Sequence, residues 1–203
     1  MRAINITDIQ RDFLPGGALA VPEGDQVIPV VNALTPRFEL VVATKDWHPA
    51  NHGSFASNHP GKQVGDIVDL GGLPQILWPP HCVQGTPGAE FADALDTSRI
   101  AQVIYKGTNP QIDSYSGFFD NAHRQSTGMD DYLRAHGVTE LFLVGLATDY
   151  CVLYTALDAC GLGYTTYVIA DGCRGLDLQP GDLQHAYAQM LAAGAVILQS
   201  DEV

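Results

Sequence analysis

Two residues that end apolar, β-branched runs, Asp8 and Lys106, and one that follows a third run, Cys151, are of types that together can cut an acyl bond. Cysteine attacks as its thiolate. Cys151 comes after the loop Gly145-Leu146-Ala147-Thr148-Asp149-Tyr150 and falls in the first turn of a predicted helix, where free amide hydrogens and the helix dipole favour negative charge. A neighbouring carboxylate could take the thiol proton and return it to a leaving amine, while an ammonium holds that carboxylate and stabilises negative charge. Each residue also has a plain structural reading. A buried cysteine packs as a small apolar group, and an Asp–Lys pair can serve the core alone. Asp8 is costly near a core unless a cation such as Lys106 compensates its charge.

A second set has the types of metal ligands. In Asp46-Trp47-His48 the two outer residues lie on the same side of an extended backbone and could share one ion. His81, in Trp78-Pro79-Pro80-His81-Cys82, is the first choice for a third ligand because the two prolines stiffen its approach; His52, His59 and Cys82 are rivals. Solvated loop histidines are the ordinary alternative. Two histidines and an aspartate with open positions suit zinc, iron(II) or manganese, and spacing does not choose among them.

These residues need a scaffold that brings separate strand ends together. Short apolar runs alternate with helical patterns, which predicts an α/β fold: a doubly wound parallel sheet of about six strands with helices on both faces. The predicted strands are Ala3-Thr7, Leu40-Thr44, Ala101-Tyr105, Leu141-Val144, Thr165-Ala170 and Ala195-Gln199. Helices are predicted near Asp25-Leu34, Gly128-His136, Thr148-Gly161 and Gly181-Ala193, with glycines at 137, 161 or 163, and 194 as stops. Ligands of such sheets bind beyond the carboxyl ends of the strands, where Asp8, Asp46, His48, Lys106 and Cys151 all fall. Residues 46–90 break the rhythm: 13 of the 45 are Gly or Pro, and four of the seven histidines lie there, so a long functional loop is predicted instead of regular structure.

Length and composition set the outer bounds. The 203 residues suit one domain, 1–203. Ten Lys+Arg against 23 Asp+Glu leave a formal charge of −13, which disfavours general binding to nucleic acid or anionic membrane. At 46% hydrophobic and 16% charged the chain reads as a packed globule. The run Ala3-Ile6 is too short for a signal-peptide core and no window approaches a membrane span, so a soluble, cytoplasmic protein is expected. Self-association is open, since a helix-covered domain can stand alone or present one face to a copy of itself.

With these residues in view, the chain resembles the nicotinamidases of the isochorismatase-like cysteine hydrolase superfamily. The resemblance runs almost end to end. It rests on Asp8-Ile9-Gln10-Arg11-Asp12-Phe13 with Gly16-Gly17-Ala18-Leu19, on Asp46-Trp47-His48-Pro49-Ala50-Asn51-His52, on Trp78-Pro79-Pro80-His81-Cys82-Val83, on Tyr105-Lys106-Gly107, on Tyr115-Ser116-Gly117-Phe118 and on Val144 through Val152.

The resemblance implies that Asp8, Lys106 and Cys151 form a catalytic triad. It also implies that Asp46, His48 and His81 bind one divalent metal, zinc or iron, with His52 left outside the set. The implied substrate is the small molecule nicotinamide, hydrolysed to nicotinate and ammonia through a cysteine thioester, with pyrazinamide fitting the same logic. Backbone amides of Ala147 and Cys151 correspond to the family's oxyanion hole, and a cis peptide is implied before Ala147. Phe13, Leu19, Trp78 and Tyr115 match positions lining its aromatic pocket. Other amidohydrolases of the superfamily, of N-carbamoylsarcosine or ureidoacrylate type, are the nearest alternative, and a non-catalytic metal-binding or thiol-sensing protein is the more distant one.

Overall fold

Along the first strand, Ile4 and Ile6 point to one apolar cluster while Ala3 points to another, so the strand is covered on both faces. The computed structural model describes all residues 1–203. Six strands build the main sheet: β1 (Arg2–Thr7), β2 (Leu40–Asp46), β5 (Ile100–Lys106), β6 (Glu140–Leu146), β7 (Thr165–Arg174) and β8 (Val196–Leu198), in the order β5-β2-β1-β6-β7-β8 and all parallel. Four helices cover it: α1 (Val27–Leu34), α2 (Met129–Ala135), α3 (Leu153–Gly161) and α4 (Asp182–Ala193).

The two layers are unequal. Val27, Ile28, Val31 and Leu34 of α1 join Ile4, Ile6, Val41, Phe142 and Val144 on one face. Residues of α2, α3 and α4, among them Leu133, Ala156 and Met190, pack with Val42, Leu141, Leu143 and Val168 on the other. None of the helices is long and apolar enough to cross a membrane.

All six predicted strands and four predicted helices are present, and the differences lie at their ends. β2, β5 and β6 extend to Asp46, Lys106 and Leu146, so the polar residues read as following the strands are their last paired or neighbouring members. β7 runs four residues beyond Ala170, through a register irregularity opposite β6. The helix predicted from Thr148 begins instead as a π turn, Thr148–Val152, in which the Ala147 carbonyl accepts from the amides of both Tyr150 and Val152.

Residues 46–90 hold one regular feature that Gly/Pro density concealed. β3 (Ile67–Leu70) and β4 (Leu73–Ile76) form an antiparallel hairpin closed by Gly71-Gly72, both at positive φ, which is the two-residue turn that glycine pairs favour. The remaining segment is held by isolated bridges and backbone bonds, including His48 N–H to the Cys82 carbonyl at 3.1 Å.

Leu143, fully buried in β6 near the centre of the sheet, tests the two-faced core. Leu143→Ala should lower the unfolding free energy by about 2–5 kcal/mol in urea titrations, whereas Leu191→Ala, on the exposed side of α4, should stay within about 0.5 kcal/mol of the unaltered chain.

Candidate active site

Four neighbouring parallel strands release their carboxyl ends along one edge of the sheet, and the polar residues there meet around a single ammonium. Lys106, at the end of β5, is 1% exposed. Its Nζ lies 2.9 Å from Asp8 Oδ2, contacts Asp46 Oδ1, donates to the Ser114 carbonyl at 3.2 Å and stands 3.3 Å from Cys151 Sγ. Asp46 and Lys106 are direct partners in the β2–β5 register, so the sheet itself dictates that contact. Asp8 leaves β1 at φ +48°, and its other oxygen accepts from Thr44 Oγ1 at 2.6 Å.

Charge explains the protonation states. For Asp8 burial dominates and raises the carboxyl above its ordinary value, although Lys106 pulls the other way. For Asp46 burial acts in the same sense, but Lys106 and His48 together hold the carboxyl well below the usual range. Lys106 loses to burial and gains more from Asp46 and Asp8, so its ammonium is kept. Burial pushes the Cys151 thiol well up, with Lys106 opposing and Asp8 adding to the rise. The expectation of a helix-dipole thiolate is therefore reversed at rest. Full desolvation beside two carboxylates outweighs the helix start and favours the thiol form of Cys151.

The three predicted metal ligands also meet. Asp46 Oδ2 lies 3.5 Å from His48 Nε2 and 3.6 Å from His81 Nε2. The other ring nitrogens are tied to backbone carbonyls, His48 Nδ1 to Gly107 at 2.9 Å and His81 Nδ1 to Pro79 at 2.8 Å. That arrangement puts the ring hydrogens on Nδ1 and turns two imidazole lone pairs and a carboxylate oxygen toward one point, a donor set that suits a divalent cation. Ligand atoms bound at about 2.0–2.2 Å would be separated by about 3–3.5 Å, so the observed spacing fits. Gly107 permits the approach of β5 to this set, since a Cβ there would overlap the His48 ring, and its φ of +65° is one that side chains rarely adopt.

The rival ligands fall elsewhere. His59 Nε2 bonds the Gly53 carbonyl at 2.7 Å. Cys82 is buried in the apolar cluster behind His81, and burial raises its thiol well above the usual range. Cys160 packs against the opposite cluster, and Cys173 lies within that cluster with its thiol pushed up to about 12 by burial. His52 lies beside the trio: Nδ1 faces Ser54 Oγ at 2.7 Å, the buried Nε2 has no partner, and the residue forms a second group of metal-type ligands with His48 and Asp113. Burial lowers His52 to about 4.

A narrow, mostly apolar cavity joins the two centres. Cys151 and Ala147 line one part and Asp46 and His81 another; Phe13, Leu19, Trp78 and Tyr115, all singled out from the sequence, form its walls. The Leu146–Ala147 peptide is cis. Val21, Asp113, Tyr150 and Leu176 line it as well and carried no signal that spacing could reveal. Gln75, on the unpredicted hairpin, was missed with them; its amide reaches Tyr115 Oη at 3.0 Å and Asp113 Oδ2 at 3.2 Å, and Trp78 Nε1 donates to the same hydroxyl at 3.2 Å.

The isochorismatase domain family matches residues 2–202. The chain belongs to the isochorismatase family. It is 54% identical over 200 residues to a nicotinamidase of Escherichia coli, covering 97% of this chain and 93% of that one. Among solved structures, a nicotinamidase/pyrazinamidase of Acinetobacter baumannii superposes with a TM-score of 0.96 at 46% identity, over 99% of this chain and 97% of that chain. A pyrazinamidase of Pyrococcus horikoshii in complex with zinc superposes with a TM-score of 0.79 at 40% identity, over 98% of each.

Removing the central cation should expose its structural role. Lys106→Met leaves Asp8 and Asp46 buried without their partner and should cost about 3–5 kcal/mol at pH 7. The variant's carboxylates then have raised folded-state values, so the folded form takes up protons first and the deficit should shrink as pH falls toward 4.5. Urea titrations of metal-free protein at both pH values check the sign; a deficit that grows on acidification would contradict it.

Proposed function

We propose that the chain is an amidohydrolase that converts nicotinamide to nicotinate and ammonia, and that it acts on pyrazinamide by the same route. The observation that carries this reading is one apolar, aromatic-walled cavity with a thiol–carboxylate–ammonium cluster on one side and a carboxylate–imidazole trio on another. A flat heteroaromatic amide suits such a cavity. N-carbamoylsarcosine and ureidoacrylate carry carboxylates, and the lining has no arginine or lysine to pair with one while it holds Asp46 and Asp113. A neutral amide is favoured for that reason, and the anionic product is disfavoured by the same two carboxylates.

Asp46, His48 and His81 are the residues that would hold a divalent ion, with zinc the favoured occupant. When bound, that ion supplies a Lewis-acid grip on the ring nitrogen and so orients the carboxamide. Asp8 accepts the proton of Cys151, and the sulfur attacks the carboxamide carbon. The resulting oxyanion is received by the amides of Ala147 and Cys151. Asp8 then returns the proton to nitrogen, the C–N bond breaks and ammonia leaves a thioester on Cys151. A water molecule gives a proton to Asp8 and adds to the thioester, the C–S bond breaks, and Asp8 returns that proton to sulfur to restore the thiol. Lys106 remains protonated throughout, holding Asp8 in place and easing negative charge on sulfur.

Purified chain incubated with nicotinamide should release ammonia, and Cys151→Ala and Asp8→Ala should each reduce the rate by at least about 10³-fold. Rapid quenching with pyrazinamide or nicotinamide should trap an acyl adduct on the unaltered chain and none on Cys151→Ala, by intact mass. Because Asp8 must be ionised to accept the thiol proton and burial raises it, activity should fall on the acid side as pH drops through that raised value. Stripping metal with a chelator should abolish turnover and returning zinc should restore it; unchanged turnover after verified removal would end the metal assignment.

A further inference from the structure

The segment after β1 carries three polar residues at alternate positions, and each reaches a different part of the site. Asp8 pairs with Lys106. Gln10, fully buried, uses both ends of its amide on the backbone of β2: its Oε1 accepts from Asp46 N–H at 2.8 Å, and its Nε2 donates to the Asp46 carbonyl at 2.8 Å and to the Ala89 carbonyl at 2.9 Å. Asp12 Oδ2 accepts from Cys82 N–H at 2.7 Å, the peptide that follows His81.

Cys82 is the joint of the strap, residues 78–82, that carries His81. It sits at φ +45°, outside the comfortable range of a side-chain-bearing residue, and its carbonyl accepts from His48 N–H at 3.1 Å. Its two backbone polar groups therefore link Asp12 on one side to His48 on the other. Asp12 also anchors the loop that supplies the cavity walls, since its carbonyl accepts from Leu19 N–H at 2.9 Å. Gly88 leaves the room for this carboxylate, because a Cβ there would overlap the Asp12 carboxyl group.

We infer that Gln10 and Asp12 are positioning residues for the divalent-ion site: Gln10 sets the backbone of Asp46, and Asp12 sets the strap that carries His81. This rests on the reading of Asp46, His48 and His81 as the ion-binding trio. Neither residue touches the ion or the substrate. Their effect is exerted on where the ligand atoms converge, so ion affinity is the quantity that registers their loss.

The test measures the zinc affinity of the metal-free full chain by competition with a chromophoric chelator. His81→Ala marks the site by abolishing the tight binding of the unaltered chain. Asp12→Ala and Gln10→Ala should each weaken zinc binding by about 10–100-fold, and Gly88→Ala should do the same by displacing the Asp12 carboxylate. Asp12→Asn should lose less, since its amide oxygen can still accept from Cys82 N–H. Asn32→Ala is the structural control. Asn32 makes a comparable side-chain clamp on Ala94 and Asp96 away from the site, so its loss should lower stability with zinc affinity unchanged.

Wild-type affinity in folded Asp12→Ala and Gly88→Ala would overturn the role of Asp12, and wild-type affinity in Gln10→Ala that of Gln10. Should Asp12→Ala fail to fold, Gly88→Ala and Asp12→Asn decide by the same measurement. An unaltered chain that binds no zinc would overturn the ion-site reading and this inference with it. Nicotinamide turnover does not enter the measurement, so failure of the proposed reaction is a separate result.

Discussion

A single ammonium buried between two carboxylates and a thiol organises this molecule. Lys106 is almost wholly removed from water, and an isolated charge there would be strongly destabilising. Asp46 and Asp8 compensate it, and in doing so they are themselves held at the carboxyl edge of the sheet. Each partner comes from a different strand, so the cluster exists only when β5, β2 and β1 are paired in register, with β6 and the turn after it delivering Cys151.

Asp46 connects the two halves of the site. One of its oxygens faces the Lys106 ammonium and the other faces the His48 and His81 rings. The charge balance of the thiol cluster and the donor strength of the imidazole trio therefore share one carboxylate. A change on either side is felt on the other through the low-dielectric interior, where Coulomb interactions are strong. This coupling accounts for the opposite displacements of the two aspartates. Asp46, with the Lys106 ammonium on one side and the His48 and His81 rings on the other, is stabilised as carboxylate, whereas Asp8, with its full burial and Asp46 nearby, is left readier to take a proton.

Tight packing around the cluster also requires irregular backbone beyond the strand ends. The π turn at Thr148–Val152, the left-handed Asp8 and Cys82, and the glycine at 107 each allow a side chain or ring to reach a place that regular structure would deny it. The long segment 46–90 is held by side-chain clamps from the N-terminal segment, which is why a stretch so rich in Gly and Pro is nonetheless well buried at His48, His52 and His81.

Periodicity in the chain was sufficient to predict the α/β architecture and the edge of the sheet where Asp8, Asp46, Lys106 and Cys151 emerge, because alternating apolar runs specify burial and strand ends specify location. Local residue types also marked His48 and His81, and the resemblance to a known family added the aromatic walls Phe13 and Trp78. Distances across the fold decided the rest. The lowered thiolate expected for Cys151 depended on desolvation and on neighbours from other strands, which no local window contains. Asp113, Tyr150 and Leu176 reach the cavity from segments far apart in the chain, Gln75 supports its wall through Tyr115 and Asp113, and the choice of His81 over His59 and Cys82 turns on which imidazole faces Asp46. Those are facts of three-dimensional convergence: linear spacing constrains what one element can present, while the packing of several elements determines which groups meet.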